Sequence, residues 1–113
     1  MHADIEDFTM PPSEVVDSAA EKLRILSDPT RLRILWALSQ GESSVACLAE
    51  LSDANPTSVS QHLAKLRLAG LVKARRQGTF MFYVITDPQL QVLLDTVMAS
   101  TAPADAATVR SAS

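Results

Sequence analysis

Thr57, Ser58, Ser60, Gln61 and Lys65 all carry hydrogen-bonding side chains, and no acid stands among them. Glutamine can pair bidentately with adenine, serine and threonine reach base edges or phosphates, and lysine neutralises a phosphate. Arg75, Arg76 and Thr79 follow around a glycine, in a pattern suited to gripping a nucleic-acid backbone. The bland alternative is that both groups are solvated surface, and the residue types alone leave both readings open. His62 is ambiguous too, between a packed core-edge side chain, a phosphate contact and a ligand. With two histidines and one cysteine in the chain, no nucleophile–base pair or metal–water constellation is legible, so an enzyme is not expected.

Charge is distributed in favour of the first reading. The net charge is only −3, yet residues 54–86 hold Lys65, Arg67, Lys73, Arg75 and Arg76 without a single acid. Residues 1–53 hold ten acids against four bases. A basic segment on an acidic body is the footprint of a nucleic-acid face.

The positioning elements follow from periodicity. Asn55 is a helix cap and Pro56 suits the first helical position. From Val59, Leu63 and Leu66 fall within about 40° of one direction at 100° per residue, and Thr57, Ser60, Gln61, Ala64 and Lys65 fall opposite. The preceding "SVACLAELSD" is a short helix with Val45, Leu48, Ala49 and Leu51 apolar, and a tight connection joins the two as a helix-turn-helix. Upstream, Ser13 is the expected N-cap of a helix whose Val16, Ala19, Ala20, Leu23 and Leu26 share a side. Asp28 and Pro29 open another, with Leu32, Leu35, Trp36 and Leu38 inward and Gly41 as its stop. Arg31 and Arg33 sit where the dipole of that helix disfavours them, which suits a carboxylate or phosphate partner.

Downstream, Val72 and Ala74 alternate with Lys73 and Arg75, Gln77-Gly78 marks a turn, and Thr79 to Thr86 is β-rich. This predicts a hairpin with basic residues at its tip. Asp87 and Pro88 open a last helix carrying Leu90, Leu93, Leu94, Val97 and Met98. The expected fold is mainly α with a small β-hairpin, in the order α-α-α-α-β-β-α: a winged helix-turn-helix. Residues 1–12 read as a flexible acidic arm, 13–100 as the DNA-binding and dimerisation domain, and 101–113 as a disordered tail. At 113 residues with 4% aromatics, the core must come from Leu, Val, Ile and Ala, and such small helical domains often complete it by dimerising. The lone Cys47, the absence of a signal peptide and the lack of a membrane-length apolar run predict a cytoplasmic protein that meets no membrane.

Together "DPTRLRILWAL", "LAELSDANPTSVSQHLAKLRLAGLV" and "RRQGTFMFYVI" resemble the ArsR/SmtB family of winged-helix transcriptional regulators, over about residues 15 to 100. The resemblance implies a homodimer through the first and last helices. It also implies a recognition helix from Asn55 in the major groove, a hairpin wing, and an apo form that represses. Two-fold symmetry then implies an inverted-repeat operator in double-stranded DNA. Alternatives are an effector-independent regulator, or a winged-helix protein-interaction module that never binds DNA.

The family's sensing sites transfer poorly. Ser44 and Ala46 stand where one site's thiolates would be, with Cys47 beside them, and a lone thiol makes no cluster. The Asp-x-His of a second site is here Asp87-Pro88-Gln89, and the later ligand positions fall near Ser100 and Pro103. The fourth helix is most similar to actinobacterial nickel- and cobalt-responsive members, which keeps a metal effector in view. The remaining candidate is the N-terminus, where the Met1 amine, His2, Asp4 and Glu6 could hold Ni(II) or another divalent ion; amine, amide and imidazole nitrogens suit square-planar geometry. The alternative there is an acidic disordered arm.

Overall fold

The computed structural model describes residues 7–101. Five helices and three short strands follow in the order α1 (Ser13–Leu26), α2 (Pro29–Leu38), β1 (Ser43–Ser44), α3 (Val45–Ser52), α4 (Pro56–Leu68), β2 (Val72–Gln77), β3 (Phe80–Ile85) and α5 (Pro88–Thr101). The five helices and the hairpin stand as expected. The addition is β1, whose two residues were too few to carry a period. Ser43 pairs with Tyr83 and Ser44 with Phe82, so the sheet is antiparallel in the order β1-β3-β2.

Local chemistry sets the helix starts. The Asp28 carboxylate accepts the Arg31 N–H at 2.9 Å, Ser44 Oγ accepts from Cys47 at 3.3 Å, and Asn55 Oδ1 accepts from Ser58 at 2.8 Å. Each satisfies a donor the helix itself leaves unpaired. Asp87 Oδ1 likewise accepts the Gln89 N–H, at 2.9 Å, ahead of Pro88. At α1 the expected cap is corrected: Ser13 is already helical, Pro12 holds the capping position, and no side chain bonds there.

The core is aliphatic. Ile34, Leu35, Leu48, Val59, Leu63, Leu66 and Leu94 are essentially inaccessible, with Leu26, Leu38, Leu71, Val72 and Leu90 around them. Two expectations about helix faces change. On α2, Ile34 is fully buried while Leu32 and Trp36 are only half-buried. On α3, Leu51 is exposed and Ser52 is buried instead, its hydroxyl donating to the Leu48 carbonyl at 2.5 Å. That hydrogen bond lets a polar residue take an interior position at low cost.

On α1 only Leu26 is buried, and Val15, Val16 and Leu23 are exposed; on α5, Val92, Leu93 and Val97 are exposed. A groove of about 230 Å³ lies between these helices, lined by Leu23, Leu26, Leu93, Leu94, Val97 and Met98 among others. Residues 7–12 belong to no helix or strand.

Candidate nucleic-acid interface

The turn between α3 and α4 sets the angle of the second helix. Asp53 ends α3 with φ 56°, in the left-handed region, and the Ala54 N–H returns to the Ala49 carbonyl at 3.0 Å. Aspartate enters this region more readily than most residues other than glycine, which suits a short, sharp connection.

On α4 the division read from the sequence is realised. Val59, Leu63 and Leu66 are buried, and Thr57, Ser60, Gln61, Ala64 and Lys65 are all exposed. Ser58 is half-buried, and its N–H is spent on the Asn55 cap. His62 is half-buried at the margin and near enough to α2 for its charge to act on Asp28. The Asp28 carboxyl is held below its ordinary value. The Arg31 N–H is the main cause, helped by the Arg31 and His62 charges and opposed by partial burial. Among the described residues the Arg31 guanidinium takes part in no salt bridge; its Nε donates to the Ile25 carbonyl at 2.8 Å, tying α2 to the end of α1.

The wing is a two-residue hairpin. Gln77 pairs with Phe80, leaving Gly78-Thr79 as the turn, one residue later than expected. Gly78 has φ +63° and Thr79 does not share that sign, the pattern of a type II′ turn whose twist matches its strands. Lys73, Arg75 and Gln77 pair with Val84, Phe82 and Phe80 and share one face of the ribbon. Val72, Ala74 and Arg76 lie on the other, where Val72, Tyr83 and Ile85 meet the core.

The two arginines therefore part company, and neither sits in the turn. Arg75 lies mid-strand with its guanidinium 5.5 Å from the centre of the Phe82 ring. Its Nε donates to Glu42 at 3.1 Å, a second nitrogen closes a two-point ion pair with the same carboxylate, and that nitrogen also donates to Gln77 at 3.1 Å. The shared hydrogen bond, and then the opposite charges, lower the Glu42 carboxyl and raise the Arg75 guanidinium relative to their ordinary values. Among the described residues Arg76 takes part in no salt bridge, and it is exposed together with Thr79. Glu42 was missed by the sequence reading because its partner is 33 residues away and only the pairing of β1 with β3 brings the two together.

The metal candidates His2, Asp4 and Glu6 lie outside the described residues. Among the described residues no three His, Cys, Asp or Glu side chains cluster in a way that could hold an ion. Ser44, at a position where the family's thiolate site would need sulfur, caps α3, and Cys47 is exposed. No described helix is long and apolar enough to cross a membrane.

Known proteins share this arrangement. Residues 28–74 match the model of the bacterial regulatory protein arsR family. The HTH-type transcriptional regulator KmtR of Mycobacterium tuberculosis is 43% identical over 98 residues, which are 86% of this chain and 75% of that protein. The HTH-type transcriptional repressor SmtB of the same species is 36% identical over 88 residues, 77% of this chain and 65% of that one. Among solved structures, the homodimeric winged helix-turn-helix DNA-binding domain of Mb0332 from Mycobacterium bovis superposes with a TM-score of 0.71 at 32% identity, over 83% of this chain and 87% of that one. Recognition helix, wing and sequence agree, and the chain belongs to the ArsR family of DNA-binding transcriptional regulators.

Proposed function

We propose that this regulator is a homodimeric repressor that grips an inverted-repeat operator in the cytoplasm. In this reading α4 lies in the major groove, with Gln61, Ser60 and Thr57 at base edges and Ser58 and Lys65 at phosphates. His62 borders the contact from the helix margin, and Arg75, Arg76 and Thr79 carry the wing to the adjacent backbone. Residues 13–100 form the working unit. The observation that carries the reading is α4 itself: one face is fully buried, and the other is exposed, polar and free of acid. Dimerisation is supported by the apolar side chains that α1 and α5 leave exposed around their shared groove. A single protomer has no use for them, and a second copy would cover them.

The test is selection of bound duplexes from a randomised library, followed by affinity measured against salt. The expected duplex is an inverted repeat bound by two chains, with half-sites about one helical turn apart or a multiple of it. Affinity should fall steeply with salt, and Lys65→Ala or Arg76→Ala should each flatten the log–log slope by about 0.9 per lost phosphate contact. Selection of a site without two-fold symmetry, or a slope indifferent to Arg76→Ala, would overturn this reading.

A further inference from the structure

The wing's outer face holds a complete anion-recognition site that is already occupied by the protein itself. Arg75 offers its guanidinium to an oxyanion in two-point geometry, backed by Phe82 and steadied by Gln77. The fork of an arginine fits a carboxylate and a phosphate equally well. Glu42 supplies the carboxylate. It leaves α2 through Gly41, whose φ of +152° few other residues would adopt, and lies two residues before Ser44. Because Ser44 pairs with Phe82, the extended chain sets Glu42 on the same face as Arg75. Both partners remain partly exposed, at 47% and 37%, so the pair can open without disturbing the core.

We propose that Glu42 is an intramolecular stand-in for a DNA phosphate: it clasps Arg75 in the free protein, and operator binding must exchange carboxylate for phosphodiester. The proposal rests on the DNA-binding role and adds a residue that sets its strength. The clasp lowers affinity for any duplex, because each wing gives up an ion pair before it gains one. It also keeps the wing from holding stray anions and long tracts of non-operator DNA. Among the described residues Arg76, on the opposite face, carries no such restraint.

The test is a double-mutant cycle of Glu42→Gln and Arg75→Ala on the full chain, using the duplex selected by the wild-type protein. An exposed ion pair contributes little, so Glu42→Gln should tighten binding up to about fivefold per wing, and by the square of that factor for a dimer. The gain should shrink as added salt screens the pair in the unmodified protein. In the Arg75→Ala background Glu42→Gln should give a much smaller gain, since no guanidinium is left to release. An equal gain in both backgrounds would overturn the proposal by showing simple repulsion between Glu42 and DNA. Unchanged or weaker binding by Glu42→Gln would overturn it by showing that the pair persists in the complex. If the unmodified protein selects no duplex at all, the failure belongs to the operator-binding reading and not to the clasp.

Discussion

Asp28 shows how one side chain joins stability to the recognition surface. Its carboxylate caps α2, and the charge of His62 on α4 reaches it. Removing the cap by Asp28→Ala should cost about 0.5–2 kcal/mol of folding stability, read from denaturant unfolding. Because folding lowers this carboxyl, its contribution is fully present above the ordinary aspartate range and is lost as pH falls through the folded value. The stability gap between Asp28→Ala and the unmodified protein should therefore narrow on acidification below about pH 4. A gap that stays constant down to pH 2 would show that the cap does not depend on the ionised carboxylate. Lys65 and Gln61 could be read as surface residues directly from spacing, since a helix period decides which side chains face away from the core. The environment of Arg75 could not, because its partners Glu42 and Phe82 are brought to it by strand pairing alone.

At the scale of elements, the helix-turn-helix depends on a connection that bends sharply and still satisfies its backbone groups. Asp53 accepts the left-handed conformation there at some cost, which a residue without Cβ avoids. Asp53→Gly should hold or raise the thermal midpoint, with a gain of at most about 1 kcal/mol, while Asp53→Val should lower it. An equal effect of the two would show that the turn relaxes to another conformation. The elements themselves were largely legible: caps at Asp28 and Asn55, prolines at Pro29, Pro56 and Pro88, and the change of period after Gly70 mark where each begins. What was not legible were features that depend on neighbours. Strand β1 exists because β3 offers it an edge; the change at Leu51 has a local cause, since Ser52 continues the face of Val45, Leu48 and Ala49 and its hydroxyl is satisfied by the Leu48 carbonyl.

For the molecule as a whole, the outstanding feature is the apolar surface that α1 and α5 leave exposed, which the proposed dimer would cover. Leu23 is 58% exposed and Val97 40%, so charging them removes little from the protomer's own core. Leu23→Glu with Val97→Glu should leave the helical content intact, shift sedimentation to the monomer, and weaken operator binding by orders of magnitude as the two half-sites are no longer joined. A dimer that survives this double substitution would place the interface elsewhere. By contrast, Leu35 is inaccessible at the centre of the protomer, and truncating it to alanine should cost about 2–5 kcal/mol of folding stability whatever the oligomeric state.

Periodicity and capping act over a few neighbouring residues, and so the chain's own order of residues was enough to place the helices, the turn between α3 and α4, and the polar face of α4. The same order puts an acid-free run of basic residues in 54–86. What the wing's cations meet follows instead from strand pairing. Alternation along β2 sends Arg75 and Arg76 to opposite faces, and β1 then carries Glu42 to one of them. Spacing in the chain assigns a charge to a segment; which counter-charge reaches it is a property of the folded sheet.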